Sequence, residues 1–194
     1  VGSEMCIRDR YSYPLIINTK SCYFLHQFLK RYIERLLDER LAVLQISISG
    51  LDNSYTHRIE PGAPDPLKRL RAVKELGLSN HPIALRISPY IPYVSPTSSE
   101  DMEGLINMAR DVGVRHVIVE TLRMESESIK GFLEALGIPS IDVEGYSLRE
   151  VDGLKPLSRV SLHIMERIYS MLAERLNKYG IGFATCKEGL FNLH

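Results

Sequence analysis

The sequence predicts an α/β fold, a partial (β/α) barrel of parallel strands followed by a long helix. Between Leu15 and Leu136, short apolar runs alternate four times with stretches of helical periodicity. The apolar runs are followed by small or polar residues, as at the carboxyl ends of strands in barrels and open sheets. Such alternation gives parallel strands with right-handed crossovers, and four units are too few to close a barrel.

The composition is that of a globular protein without an overall field for nucleic acid or lipid. Lys plus Arg number 24 and Asp plus Glu number 24, so the 194 residues have no formal net charge. Apolar runs stay well short of the roughly 20 residues that a membrane helix needs. Cys6, Cys22 and Cys186 are odd in number and widely spaced, which favours a reducing compartment over a disulfide framework. The expected location is the cytoplasm.

Three segments differ in their patterns. Residues 1–10 lack helical or strand periodicity and resemble translated adapter sequence, so we interpret them as a non-native segment. Residues 11–145 carry the alternating units and form the predicted partial barrel. Residues 146–194 carry the long helix and a tail. We therefore expect the chain to be a fragment of a longer natural protein.

The first two units lie before Gly77. Leu15–Asn18 is a short apolar strand, and Leu41–Ile48 is a buried strand without internal Gly or Pro. A polar loop follows the second strand, and a helix is predicted from Pro66 to Leu76, since proline suits a first helical turn. Between the two strands, an apolar stripe at helical spacing predicts another helix. The stripe consists of Phe24, Leu25, Phe28, Leu29, Tyr32, Ile33, Leu36 and Leu37.

Two further units follow, after which the pattern changes. Ile83–Ile91 is the third strand, and Pro89 marks its end. Ser98–Asp101 is a capping signature for a helix that Gly113 closes. The remaining predicted elements are a strand at His116–Glu120, a helix at Ile129–Leu136, a long helix at Leu157–Tyr179 and a strand at Ile181–Ala184.

Three motifs occur in a fixed order around these strands. They are INTKS at 17–21, SIS followed by EPGAP between 47 and 64, and RISPYIP at 86–92, with Arg69 and Leu70 on the helix after EPGAP. Together they resemble the spore-photoproduct-lyase-like branch of the radical SAM enzymes, over a stretch from about Leu15 to Met124. The resemblance implies a TIM-like barrel.

The same resemblance implies a lyase-like enzyme that cleaves S-adenosylmethionine (SAM) reductively to a 5′-deoxyadenosyl radical for hydrogen abstraction. It implies a [4Fe–4S] cluster and an electron donor of the flavodoxin or ferredoxin type. The substrate stays open; DNA is a candidate because photoproduct repair is the best-known activity of the family. The neutral composition gives no independent support for DNA binding.

The cysteines that the resemblance calls for are missing. The family holds its cluster on C-x3-C-x2-C, because thiolates are strong ligands for iron. This spacing does not occur in the sequence, and in the family's order it would lie before Leu15. We therefore expect the present chain to bind neither the cluster nor SAM, and to be inactive alone. Cys186 is a candidate for a metal ligand.

The resemblance places cofactor-facing polar groups at Lys20 and Ser21. The carboxylate of SAM needs a cation and hydroxyl donors, since charge-assisted hydrogen bonds are the strong ones. Ser47 and Ser49, at the end of the second strand, supply hydroxyl groups. Arg86 is the best candidate for a carboxylate clamp, because its planar guanidinium binds both oxygens at once. Because the carboxyl ends of parallel strands meet at one edge of a sheet, we expect Lys20, Ser47 and Arg86 to lie together there.

Structural interpretations of the same residues stay open. Lys20 has the alternative of an exposed loop lysine, and Arg86 that of an ion pair with Glu120 or Glu60, because an arginine inside a strand needs a partner. The predicted substrate-side residues are Glu60, Tyr90, Glu120 and Arg123. Catalytic residues are not assigned.

Two other functions stay open. One is a different, non-radical (β/α)-barrel metabolic enzyme, for instance one acting on a phosphorylated metabolite; the glycine-rich phosphate site that it requires is not seen in the sequence. The other is a cluster-free binding or scaffold protein derived from a barrel. The sequence has no HExxH or P-loop motif that would favour other chemistry.

Overall fold

The computed structural model describes residues 14–23, 26–75, 77–146 and 156–186, with Leu190 and Leu193. The strands are β1 (Leu15–Thr19), β2 (Ala42–Ile48), β3 (Ile83–Tyr90), β4 (Val114–Thr121), β5 (Arg123–Glu125), β6 (Val143–Tyr146), β7 (Leu157–Val160) and β8 (Gly182–Thr185). The helices are α1 (Gln27–Asp38), α2 (Asn53–Ile59), α3 (Pro66–Glu75), α4 (Ser99–Val112), α5 (Ile129–Ala135) and α6 (Leu162–Lys178), with a short 3₁₀ helix at Leu78–Asn80.

The main sheet has five strands in the order β1-β2-β3-β4-β8, and every neighbouring pair is parallel. The predicted α/β class with parallel strands is therefore confirmed. β8 pairs with β4 through Gly182 opposite His116. The segment after residue 146 thus contributes a strand to the same sheet as the segment before it.

The two faces of this sheet differ in character, because alternate residues of a strand point to opposite sides. On one face Leu44, Leu85 and Val117 are completely buried in a core shared with the helices. Right-handed crossovers place the connecting helices on one side, and each buried side chain of this size contributes about 1.5–3 kcal/mol. The other face exposes Ile16, by 67%, and turns polar toward the carboxyl ends of the strands.

A second, antiparallel sheet of the order β5-β7-β6 was not predicted. It lies beyond the carboxyl end of β4 in the chain, beside a second apolar cluster. Phe132 and Val143 pack against that cluster. Its buried members are Ile91, Val94, Leu122, Ile129, Leu133, Leu136 and Ile138. This cluster joins loops at the carboxyl ends of β3 and β4 to α5.

The loop predicted between β2 and α3 contains a helix, so that prediction is wrong for residues 53–59. The carboxylate Oδ1 of Asp52 caps α2 by accepting a hydrogen bond from the Ser54 amide at 2.7 Å. Arg58 donates to the Leu136 carbonyl at 3.3 Å and also contacts the Ala135 carbonyl. The long-range contact of α2 with the end of α5 was not visible as periodicity in so short a segment.

The long helix predicted from Leu157 is also wrong at its start. α6 begins at Leu162, and Leu157–Val160 forms β7. β7 lies between β5 and β6, with Arg159 opposite both Arg123 and Glu144. Antiparallel partners on both sides therefore outweigh the helical preference of four residues.

Several predictions fall on residues whose structure is not described. They concern the proposed non-native segment 1–10 and Phe24, Leu25 and Leu76. Within the described part of the chain, none of the helices combines the length and the apolar character that crossing a membrane requires.

Gly113, in the turn between α4 and β4, lies close to the backbone of Ser79. Gly77, before the 3₁₀ helix, has a similar left-handed backbone without such a neighbour and serves as the comparison. Gly113 has φ 87°, and a Cβ there would lie 2.2 Å from the Ser79 carbonyl oxygen; Gly77 has φ 70° with no atom within 4 Å of a Cβ. We expect Gly77→Ala to cost about 1–2 kcal/mol of unfolding free energy, because only backbone strain is added. Gly113→Ala should cost clearly more, as measured by urea unfolding. Equal losses would contradict the close approach.

Candidate functional site

Three residues predicted to share one edge of the sheet do so. Ser47 on β2 lies opposite Arg86 on β3. Lys20 directly follows Thr19, whose partner on β2 is Ile46, so Lys20 stands at the level of Ser47. The three side chains therefore occur on adjacent parallel strands at the carboxyl edge, where α/β folds place their chemistry. Their role in cofactor binding stays a prediction.

Lys20 is held by two partners. Its Nζ donates to Glu60 Oε1 at 2.7 Å and to the Ser88 carbonyl at 3.1 Å, while the side chain is 39% exposed. An ammonium group has three N–H donors. Among the described residues only these two acceptors are in reach, so one donor is left for a ligand. This geometry differs from that of an unattached loop lysine.

Glu60 lies beneath Lys20 and does not reach the open edge. Its carboxylate is 4% exposed, and its second oxygen accepts from Arg69 Nη2 at 2.5 Å. Both oxygens are engaged by Lys20 and Arg69, and a contact of Glu60 with substrate stays a prediction. The sequence could not show this, since the two cations come from distant segments.

Arg69 was missed as a member of the site. It is 1% exposed, and its Nε and Nη1 donate at 2.6 Å to the carbonyls of Pro64 and Ser47. The signal was present in the sequence. Arg69 stands with Pro66, Leu70 and Val73 on the buried stripe of α3, where an arginine needs several acceptors.

Arg86 forms an ion pair with Glu120, which is one of the two alternatives left open by the sequence. Nη2 of Arg86 donates to Glu120 Oε2 and lies 3.6 Å from Cys186 Sγ. Ser88 Oγ donates to the same carboxylate oxygen at 3.1 Å, and Arg123 Nη2 pairs with Oε1. Glu120 and Arg123 are thus at the predicted edge, and they contact each other.

Arg123 connects this edge to the second sheet. Its Nη1 donates to the Tyr146 hydroxyl at 2.8 Å, and its guanidinium carbon lies 5.0 Å from the centre of that ring. Arg159 stacks on the same ring at 4.9 Å and donates to Glu144 Oε1 at 2.9 Å through Nε. Cation–π contacts of this kind fix the plane of a guanidinium. Arg123 is therefore oriented as well as paired.

Tyr90 faces the core, and its role as a substrate-side residue stays a prediction. Its hydroxyl donates to the Pro96 carbonyl, and its ring packs edge-on against Tyr169 at 5.2 Å. Burial raises the pKa of Tyr90 far above its usual range. A register shift in the pairing of β3 with β4 between Ile87 and Tyr90 turns the side chain to the helix face.

The three serines predicted to bind the cofactor differ in their surroundings, and their roles stay predictions. Ser21 Oγ accepts from the Tyr23 amide at 3.0 Å, which is a local turn contact. Ser47 and Ser49 are buried, and Ser49 Oγ has no hydrogen-bond partner among the described residues. A buried hydroxyl without a partner costs roughly 1–3 kcal/mol. Among the described residues, Ser49 Oγ is therefore a buried hydroxyl whose hydrogen-bonding requirement is unmet.

A pocket of about 540 Å³ opens beside Lys20. Its wall is mainly apolar, and it is lined by Lys20, Ser21, Cys22, Tyr23, Gly62, Ala63 and Pro64. Burial raises the pKa of the Cys22 thiol, and the nearby charges of Lys68 and Arg69 partly oppose this. The raised pKa favours the neutral thiol form of Cys22 in this wall.

Comparisons with known proteins support the fold. No family model matches the chain. Uncharacterized protein ORF301 of Acidianus two-tailed virus is 29% identical over 142 residues, which are 71% of this chain and 40% of that protein.

Two solved structures resemble the chain over most of its length. Spore photoproduct lyase complexed with dinucleoside spore photoproduct has a TM-score of 0.54 at 12% identity, over 89% of this chain and 50% of that one. SuiB of Streptococcus suis bound to S-adenosylmethionine has 0.56 at 13%, over 98% and 37%. The chain shares its α/β fold with these two proteins. The predicted partial TIM-like barrel is confirmed, and the chain spans half or less of these proteins.

The described residues of this fold do not suit an iron–sulfur cluster. They contain no group of three or more His, Cys, Asp and Glu side chains that could hold a metal ion. Cys22 and Cys186 are free thiols, and the sulfur of Cys186 lies against a guanidinium nitrogen of Arg86. A cation beside the sulfur disfavours a second cation. The role of Cys186 as a metal ligand stays a prediction, and this contact gives it no support.

The same edge suits the amino-acid headgroup of SAM better. A carboxylate there would meet the free N–H of Lys20, while the unpartnered Ser49 hydroxyl lies buried at the end of the neighbouring strand. Glu60 and Glu120 each form ion pairs with two basic residues. These pairs therefore place more positive than negative charge at the edge. Charge-assisted bonds to a carboxylate are favourable in such surroundings.

Glu120→Gln tests the charge network at this edge. We expect a loss of about 3 kcal/mol in the free energy of unfolding, because two largely buried guanidinium groups lose their counter-charge. The matched control is Glu39→Gln, which breaks the exposed Arg35–Glu39 pair and should cost about 0.5 kcal/mol or less. Urea unfolding of both variants measures the difference. Similar small losses would contradict the network.

Proposed function

We propose that this chain is part of a radical SAM enzyme core and supplies the wall against which S-adenosylmethionine binds. The reaction proposed for the complete protein is the reductive cleavage of this cofactor to a 5′-deoxyadenosyl radical that abstracts hydrogen from a substrate. The single observation that carries the proposal is the alignment of Lys20, Ser47 and Arg86 on adjacent strand ends. Two structural relatives contain SAM: SuiB, and a double mutant of spore photoproduct lyase with a TM-score of 0.58 at 14% identity.

The roles of the edge residues follow from their partners. Lys20 would donate its free N–H to the carboxylate of the cofactor, and Ser47 and Ser49 would line the floor. Arg86 would act from its place beside Glu120, contributing positive charge while one of its nitrogens stays engaged. Ser21 and the apolar pocket wall beside Lys20 would border the remainder of the cofactor.

The cluster belongs to a different part of the complete protein in this proposal. The described residues do not supply its ligands, so we assign no step to it here. The electron donor is proposed to be of the flavodoxin or ferredoxin type. Unpaired thiols at Cys22 and Cys186 agree with a reducing compartment, and the cytoplasm is the proposed location.

The fold alone does not identify the substrate class of the complete protein. Among the structural relatives, spore photoproduct lyase was solved with a dinucleoside photoproduct, and SuiB with the precursor peptide SuiA. A nucleic acid and a peptide are different classes, although both enzymes share this fold. A lyase acting on DNA therefore stays a candidate. Arg123, at the start of β5, is the residue proposed to meet the substrate.

A cluster-free binding or scaffold protein is the second candidate. The observation that favours it is the mutual pairing of the edge charges, since Arg86, Glu120 and Arg123 satisfy one another without a ligand. Such a protein would keep the sheet and its charge networks for stability alone. It would neither bind nor cleave SAM.

The Lys20→Gln variant of the complete protein distinguishes the proposed enzyme from the proposed scaffold protein. The protein, expressed from the reading frame that encodes this chain, is purified without oxygen, supplied with iron and sulfide, and reduced with dithionite. We expect SAM binding with 5′-deoxyadenosine formation, and a loss of about tenfold or more in affinity for SAM in Lys20→Gln, because a charge-assisted hydrogen bond is removed. Titration calorimetry measures the affinity, and mass spectrometry the 5′-deoxyadenosine.

The matched control is Lys74→Gln. Lys74 also forms a short ion pair, with Asp111 at 2.6 Å. It lies in the last turn of α3, at the opposite end of this helix from Pro66. This variant should bind SAM like the native protein. Native protein that neither binds SAM nor forms 5′-deoxyadenosine would contradict the proposed enzyme and favour the scaffold.

A further inference from the structure

We infer that Glu60 and Arg69 form a positioning pair, which aims the ammonium group of Lys20 at the carboxylate of the cofactor's amino-acid headgroup. This inference rests on the proposed function. It assigns a role to two buried charged residues that the cofactor itself does not touch. The pair and Lys20 come from three separate places in the chain: the end of α2, the buried stripe of α3 and the end of β1.

All three guanidinium nitrogens of Arg69 donate hydrogen bonds to groups within the protein. Nε donates to the Pro64 carbonyl and Nη1 to the Ser47 carbonyl, each at 2.6 Å, and Nη2 donates to Glu60 at 2.5 Å. The guanidinium group is planar and rigid, so these three contacts fix its orientation. Arg69 thereby attaches the loop after α2 to the carboxyl end of β2 and holds Glu60 in one place.

Glu60 in turn fixes the position of the Lys20 ammonium group. One carboxylate oxygen accepts from Arg69, and the other accepts from Lys20 Nζ at 2.7 Å. A buried carboxylate needs its counter-charge, and here a fully buried cation supplies it from below. Lys20 is therefore held by a fixed anion on one side and by the Ser88 carbonyl on another.

The consequence is preorganisation. A free lysine side chain loses conformational entropy when it is fixed in one rotamer. In this structure the cost is met by internal contacts before any ligand arrives, which raises the affinity for a ligand that uses the remaining N–H. The three side chains carry two positive charges against one negative, so the remaining N–H also stands in a field that favours an anion.

The test compares two ligands in the complete protein. S-adenosylmethionine has the amino-acid headgroup, whereas 5′-methylthioadenosine shares its adenosine part and lacks that headgroup. A residue that acts through Lys20 should affect only the first ligand. A residue that merely stabilises the loop should affect both ligands, since the loop lines the pocket beside Lys20.

Glu60→Gln should weaken the binding of SAM about tenfold, because Lys20 loses a charged partner of fixed position. The affinity for 5′-methylthioadenosine should stay within about twofold of the native value. The double variant Glu60→Gln with Lys20→Gln should lose no more than Lys20→Gln alone, since residues that act as one unit are not additive. Asp111→Asn, which breaks the remote pair with Lys74, is the control and should change neither affinity.

Three outcomes would overturn the inference. Equal weakening of both ligands by Glu60→Gln would assign the pair a structural role, and unchanged affinities would remove its role in binding. Native protein that binds neither ligand would contradict the proposed function itself. If Glu60→Gln does not fold, Glu60→Asp replaces it: the shorter side chain keeps the charge for Arg69 and withdraws from Lys20, so the same loss confined to SAM is expected.

Discussion

The carboxyl edge of the sheet depends on one buried arginine. Arg69 is inaccessible to solvent and bonds to the end of β2, to the loop before α3 and to Glu60. Removing a buried cation from such a set leaves a buried carboxylate without its counter-charge, which typically costs about 3–5 kcal/mol. The position of Lys20 follows from Glu60, and that of Glu60 follows from Arg69. The geometry of the candidate site is therefore set from within the helix layer.

The topology explains why the opposite face is available for binding. Parallel strands joined by right-handed crossovers place the helices on one side of the sheet, and the apolar core fills that side. The other side needs no apolar side chains near its carboxyl end, so Ser47, Arg86 and Glu120 are tolerated there. α2, α5 and the antiparallel sheet contribute loops and side chains beyond this end. Chemistry and stability are thus separated between the two faces.

Regular patterns were readable from the sequence, and long-range pairing was not. β1, β2 and α4 have strong periodicity or capping signals, so their positions were predicted to within a few residues. β7 was missed because its two strand partners, not its composition, decide its conformation. The shared edge of Lys20, Ser47 and Arg86 followed from strand order alone. The burial of Tyr90 and the choice of Glu120 as the partner of Arg86 depend on a register shift and on neighbouring strands, which one sequence does not contain.

The two charge groups of the edge act as one unit because Ser88 joins them. Its carbonyl accepts from Lys20 and its hydroxyl donates to Glu120, each at 3.1 Å. In both groups one carboxylate is shared by two cations, so the joined edge carries more positive than negative charge although the whole chain is neutral. Net charge therefore says little about this surface. An anionic headgroup at the strand ends would experience a positive local field that the overall composition does not show. At ordinary ionic strength this field acts over about 10 Å and favours binding of an anion.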